Sequence, residues 1–366
     1  MIETICTLQE KPDGNYMEQT FNESYLNKIT ASRASAHSSI FDTTTFLEVV
    51  DSEIKSCIAK NADTPLAQMA LKHFEVKGKM IRPMFIAELA HSLKLDLSMV
   101  LDWAVSCELL HNATLVHDDL QDGDEVRRGA PSLWKQFGAE QAINIGDYLL
   151  IIAPRPIILG TNENKEQLLD LFTRMSSGVV AGQVNEFELN KMFSCENLMA
   201  SYLKCIGGKT STLFSCLALG VALIAKESMA NAMSIESIFF QLGHIFQIQD
   251  DILDLYGNKQ RGELGCDIKE GKISYLIVTH LEENPRDFEF VSNILKTKRS
   301  LTTDKDVQAI IDLFKEKKTI DTCIKNLELR VSNLLSVEYL QTNPKLKDLI
   351  QKLVDKVLLP IKDIKE

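Results

Sequence analysis

Two stretches of this 366-residue chain carry aspartates in one pattern, D-D-x-x-D: Asp118, Asp119 and Asp122 in "TLVHDDLQD", and Asp250, Asp251 and Asp254 in "FQIQDDILD". On a helix, residues four apart share a face, so Asp118 aligns with Asp122 and Asp250 with Asp254. His111 and Thr114 lead into the first polar stripe, and Gln247 precedes the second; the residues around both are strongly apolar. Like charges on one face repel, and uncompensated carboxylates beside a core cost far more. Divalent cations remove both penalties. Oxygen donors with no Cys or His at ligand spacing favour Mg²⁺, with Mn²⁺ as the alternative, over zinc. Mg²⁺ keeps coordination positions for substrate phosphates, so a phosphorylated substrate is implied. One such stripe alone would read as a solvated acidic face. Two copies, each set in apolar sequence with no lysine four residues on, favour metal binding.

A metal–phosphate site also needs direct cations, with arginine suited to bidentate phosphate contacts and lysine to point charge. "KGKMIRP" (77–83) offers Lys79 and Arg82 three residues apart, on one face if that segment is helical. Arg127 and Arg128 follow the first cluster, Lys209 and Thr210 lie in "GGKTS", and Lys272 lies in "EGK". Taken singly, each is an ordinary surface residue, and His111 an ordinary core histidine. "GGKTS" is not a P-loop, because the pattern requires glycine at the position of Leu203.

Helical periodicity positions these groups. Phe46, Val50, Ile54, Cys57 and Ile58 repeat at helical spacing, and Ser98 is placed to cap a helix holding Leu101, Val105, Leu109 and Leu110. The segment 237–257 stops at Gly257. "LFSCLALGVALIA" (213–225) is short for a membrane span and reads as a core helix, so no membrane span is expected. No alternating β-branched block predicts a sheet, and an all-α bundle with long central helices follows. Residues 1–40 lack sustained periodicity and read as a loosely ordered extension before a helical domain over 41–366.

Composition bounds the rest. A net charge of −11 argues against nucleic acid as a partner. Eight cysteines without a C-x-x-C pair fit a reducing compartment, and an acidic N-terminus disfavours a transit peptide, so a cytoplasmic location is expected. The C-terminal stripe Leu346, Ile350, Leu353 and Val357 reads as a packing face before a membrane-surface one.

In order and spacing, "GKMIRP", "HNATLVHDDLQDGDEVRRG", "INIGDYLL", "GGKTSTLF", "FQIQDDILDLYG" and "GCDIKEGK" resemble the trans-isoprenyl diphosphate synthases, or polyprenyl synthetases, of the geranylgeranyl and longer-chain type. The likeness spans roughly residues 45–360. It implies the isoprenoid-synthase bundle with a central active-site cavity, usually in a homodimer. The implied reaction joins isopentenyl diphosphate to an allylic prenyl diphosphate. Asp118 and Asp122, with Asp250 and Asp254, would hold three Mg²⁺ ions, and Asp119 and Asp251 would support them. Arg127, Lys209 and Lys272 would contact the allylic diphosphate. Lys79, Arg82, His111 and Arg128 would bind the isopentenyl diphosphate, with Thr210 and Gln247 lining the reaction centre. A catalytically weak partner subunit and a terpene cyclase are the competing readings; two intact aspartate motifs oppose the first, and the isopentenyl-site residues the second.

Three positions depart from the pattern. "RGELGCD" puts Glu263 where the family commonly has lysine, a local change of two charge units. Glu263 therefore either turns outward or weakens allylic diphosphate binding, and unchanged Michaelis constants in Glu263→Lys would dispose of the second alternative. Pro154 and Pro156 fall where the family runs a helix, predicting a break near residue 153. "EGKISYLIV" lacks a proline often found after that segment. Ala113 and Thr114, one turn before Asp118, are small, so the product is expected to reach C20 or longer.

Overall fold

The computed structural model describes residues 42–60, 64–191, 193–194, 196–257, 265–361 and 364, and the backbone of 6–10 and 16–20. Glu263 lies outside the described residues, as does most of the expected extension over 1–40. The fold is all-α as expected, with two short antiparallel ribbons beside the helices: β1 (Cys6–Glu10) with β2 (Tyr16–Thr20), and β3 (Val126–Arg127) with β4 (Ala130–Pro131). Neither is long enough to register as an alternating block in sequence.

Helix α1 (Thr43–Ala59) starts at Asp42, whose carboxylate accepts the Thr45 N–H at 2.9 Å, and it buries all five residues of its predicted stripe. After α2 (Pro65–His73), the segment around Lys79 is not helical. Met80 takes a left-handed conformation, φ 49°, and α3 (Ile81–Ser92) begins only after it. The helical-face argument for Lys79 and Arg82 therefore does not hold. Helix α4 (Leu97–Asp122) is capped by Asp96 rather than Ser98: the Asp96 carboxylate accepts the Ser98 N–H at 2.8 Å, a geometry open only to the residue outside the helix. It ends at Gly123, left-handed at φ 70°.

Beyond the short α5 (Leu133–Phe137), α6 (Ala139–Ile152) stops before Pro154 and α7 (Arg155–Leu159) restarts with Pro156 in its first turn. The predicted break is present. Helix α8 (Lys165–Lys191) is followed by α9 (Leu198–Ile206), a π-helical turn (Gly207–Ser211) and α10 (Thr212–Ile224). Helix α11 (Met229–Tyr256) carries the second aspartate cluster and stops at Gly257. The remaining helices are α12 (Cys266–Lys269), α13 (Tyr275–Glu283), α14 (Phe288–Leu295), α15 (Asp304–Glu316), α16 (Thr319–Leu335), α17 (Glu338–Thr342) and α18 (Pro344–Leu358).

The core forms where α4 packs on α1, α3 and α6, and α10 on α11 and α8. Helix α10 is buried almost all round, which explains its unbroken apolar sequence. A β-carbon at Gly220 would lie 2.2 Å from Trp103 Cε2; without one, the indole of α4 lies flat on α10 and donates to Leu217 O at 3.0 Å. Each large aliphatic side chain buried here stabilises the fold by about 1.5–3 kcal/mol. Leu346, Ile350, Leu353 and Val357 of α18 are buried against α3, α11 and α16, so the C-terminal stripe is core.

Candidate active site

Both aspartate motifs belong to one closed circuit of polar contacts. Asp118, near the end of α4, lies 3.7 Å from Lys209 of the π turn, and Lys209 bonds Glu186 of α8 at 2.8 Å. Next in the chain, Thr210 donates to Gln247 Oε1 at 2.6 Å, and Gln247 donates to Asp251 at 2.9 Å. Asp251 also accepts the Tyr275 N–H at 2.7 Å, three residues beyond Lys272. Lys272 closes the circuit on Asp122 at 2.7 Å and bonds Glu270 at 2.6 Å. Tertiary packing alone brings these residues together, since the circuit runs from Asp118 to Tyr275, 157 positions apart in the chain.

The aspartates divide by environment. Asp118, Asp122 and Asp250 are partly exposed. Asp119 is buried and accepts Arg127 Nε at 2.7 Å, and a second guanidinium nitrogen bonds the same oxygen. Burial pushes the Asp119 carboxyl up to about 6 despite that arginine. Asp251 is buried among Tyr202 Oη at 2.7 Å, Gln247 and the Tyr275 N–H, and burial pushes it up to about 7. Asp254 is buried as well, with one oxygen accepting the Asp267 N–H at 3.0 Å. Burial also raises Asp118, opposed by Lys209. Carboxylates outnumber the cations among them, and burial penalises their charge, so the site favours added positive charge. Among the described residues no three potential ligands gather closely enough to hold one ion alone. The oxygen-only donor set instead suits Mg²⁺, which takes one or two carboxylates and completes its shell with water and phosphate.

A second cationic group lies beside the first. Arg128 donates to Val76 O at 3.3 Å, and a β-carbon on Gly78 would lie 2.6 Å from its guanidinium, so glycine is what lets Arg128 rest on that backbone. Arg82 has its Nε buried without a hydrogen-bond partner among the described residues, and burial brings its pKa down to about 10. His111 is held well below its usual range, first by burial and then by Arg82 and Arg128. His73, bonded to Asn112 at 2.9 Å, is brought down to about 3 mainly by burial. Glu108 is the buried counter-charge here, raised by burial and opposed by Arg82. A buried unpaired guanidinium donor among further cations calls for an anion. Lys79 is exposed in the segment leading into α3.

The model of the polyprenyl synthetase family matches residues 63–314. The chain belongs to that family. It is 31% identical over 312 residues to the geranylgeranyl diphosphate synthase of Saccharolobus solfataricus, covering 79% of this chain and 92% of the relative. It is 30% identical over 246 residues to the short chain isoprenyl diphosphate synthase of Methanocaldococcus jannaschii, covering 66% of this chain and 73% of the relative. Further relatives are named octaprenyl diphosphate synthase in Haemophilus influenzae and heptaprenyl diphosphate synthase component 2 in Bacillus subtilis. A crystal structure of a geranylgeranyl pyrophosphate synthase superposes with TM-score 0.78 at 23% identity, over 88% of this chain and 99% of that one, so the fold is shared.

In this polyprenyl synthetase, Glu186, Glu270, Asp124, Arg299 and Tyr202 join the site without having been singled out in sequence. Glu270 stands in the quoted "GCDIKEGK" beside Lys272, and that adjacency was its available signal. Glu186 sits on α8, whose sequence is otherwise an ordinary amphipathic helix, and Arg299 belongs to no motif. Only packing brings them in.

Proposed function

We propose that this chain condenses isopentenyl diphosphate with an allylic prenyl diphosphate, in the presence of Mg²⁺, to make an all-trans prenyl diphosphate of C20 or longer. The closed circuit that joins Asp118 and Asp122 to Asp251 through Lys209, Thr210, Gln247 and Lys272 carries this reading. Asp118, Asp122 and Asp250, with Asp254, would hold the ions. Bound Mg²⁺ would supply Lewis-acid stabilisation to the departing diphosphate. Lys209, Lys272 and Arg127 neutralise and orient the allylic diphosphate, while Arg82, Arg128, His111 and Lys79 hold the isopentenyl diphosphate. With both anchored, the allylic C–O bond breaks, the isopentenyl double bond forms the new C–C bond, and a proton leaves to an oxygen of the released diphosphate. Asp119, tied to Arg127, and Asp251, tied to Tyr202, Gln247 and the Tyr275 N–H, support the site. Exclusion of water from the site would protect the cationic carbon.

Small residues support the longer product: Ala113 is buried one turn below Asp118, and the Thr114 hydroxyl is folded back onto His111 O at 2.7 Å. A cytoplasmic homodimer completes the proposal. Ile143 and Ile151 of α6, and Val180 and Val184 of α8, are exposed apolar side chains that a second copy would cover.

Purified protein, Mg²⁺, isopentenyl diphosphate and separate allylic primers of increasing length should give a ladder ending at one size, read by mass spectrometry after dephosphorylation. A ladder stopping at fifteen carbons would overturn the length reading. No elongation from any primer by folded, Mg²⁺-binding protein would overturn the stand-alone enzyme and leave a partner subunit.

A further inference from the structure

Arg299 stands outside every motif, in a short 3-10 turn between α14 and α15, yet its guanidinium reaches the site from the far side. It donates to Glu270 Oε1 at 3.0 Å, to Asp124 Oδ1 at 2.9 Å, and to the backbone oxygen of Asp122. Asp122 is the last residue of α4, so that oxygen is one of the carbonyls a helix leaves without an internal partner, at the negative end of its dipole. Glu270 is the carboxylate that, with Asp122, holds Lys272. The same strand of chain grips this turn elsewhere. A β-carbon on Gly271 would lie 2.4 Å from Leu295 O, so the turn rests on the end of α14, and Lys269 bonds Asp304 at 2.8 Å. Those two contacts seat the turn on the C-terminal helices; the Arg299 contacts reach past it to the end of α4.

We infer that Arg299 is a positioning residue: by binding the Asp122 carbonyl, Asp124 and Glu270 together, it sets the spacing between the first aspartate motif and Lys272. This rests on the proposed function, in which Asp122 holds Mg²⁺ and Lys272 the allylic diphosphate. The isopentenyl-binding group of Arg82, Arg128 and His111 shares none of these contacts. Loss of Arg299 should therefore separate the two substrates.

The test compares Arg299→Gln, Arg299→Lys and the control Lys269→Ala with wild type. Without metal or substrate, hydrogen exchange should quicken in Arg299→Gln at the Asp124 and Lys272 amides, which bond Asp119 O at 2.8 Å and Asp267 O at 2.8 Å. In turnover, the allylic Michaelis constant and the Mg²⁺ half-saturation should rise about 10–100-fold in Arg299→Gln, as for other groups that orient metal ligands, with the isopentenyl constant steady. Arg299→Lys, keeping charge but losing the fork, should fall between, and Lys269→Ala should match wild type. Unchanged exchange in a folded Arg299→Gln, or both substrate constants rising in step, would overturn the inference. Equal effects from Lys269→Ala would also do so, since they would assign the role to general docking of the turn. Failure of the function reading looks different: wild type would elongate nothing, while the exchange arm would still report on Arg299.

Discussion

Asp118→Asn and Asp122→Asn should each lower elongation turnover by more than about 100-fold, since even the groups that only orient a metal's ligands are worth 10–100-fold. The amide keeps the shape of the carboxylate and removes its charge. Asp118 then loses its attraction for Lys209, and Lys272 loses its ion pair with Asp122 while keeping that with Glu270. The metal-free fold should tolerate Asp118→Asn, because burial already disfavours the charged form of Asp118. Wild type should gain thermal stability from Mg²⁺ with inorganic diphosphate, through binding to the native state alone. In the variants that gain should largely vanish. Turnover within a few-fold of wild type at the same Mg²⁺ requirement would remove these aspartates from the metal site.

The second large effect is steric. In Gly182→Val, a β-carbon would lie 2.2 Å from Lys209 N, 2.6 Å from Gly208 C and 2.8 Å from Lys209 Cα. All three are backbone atoms, so no side chain can swing aside. Helix α8 would have to separate from the π turn, at a cost of about 1–3 kcal/mol for overpacking or more where backbone must shift. Lys209 and Thr210 would move with that turn, and a displacement of about 1 Å at a positioned group costs on the order of 100-fold in rate. We expect a lowered melting temperature together with that loss of turnover. Gly207→Ala in the same turn is the control: its nearest neighbour would be Phe240 Cζ at 3.4 Å, an ordinary contact, and it should behave nearly as wild type. Full activity in Gly182→Val would show that the close approach of α8 does not set Lys209.

The π turn shows why such contacts escape a one-dimensional reading. "GGKTS" can be rejected as a phosphate loop from Leu203 alone, but nothing in its composition says that its helix widens by one residue. Wider turns of this kind recur at functional sites. Here the turn faces Lys209 toward Asp118 and Glu186 while Thr210 meets Gln247. Met80 is a similar case. Three-residue spacing placed Lys79 and Arg82 on one helical face, and a left-handed residue between them removed that face. Local conformation decided both, and packing around the residue sets it more than the residue's own type.

Periodicity, punctuation and charge placement were sufficient for the helices of the bundle, the stop at Gly257, the break at Pro154 and the two acidic stripes, because each depends on neighbours within a turn or two of chain. They were also sufficient to point to an oxygen-ligated metal, since clustered carboxylates in apolar sequence have few other ways to lower their energy. Tertiary structure alone decided which aspartates remain accessible and which are tied to Arg127, Tyr202 or a backbone amide. It alone brought Glu186 to Lys209 and Arg299 to the end of α4. Those pairings join residues far apart in the chain, and their energies come from burial and distance, which a sequence does not contain until it folds.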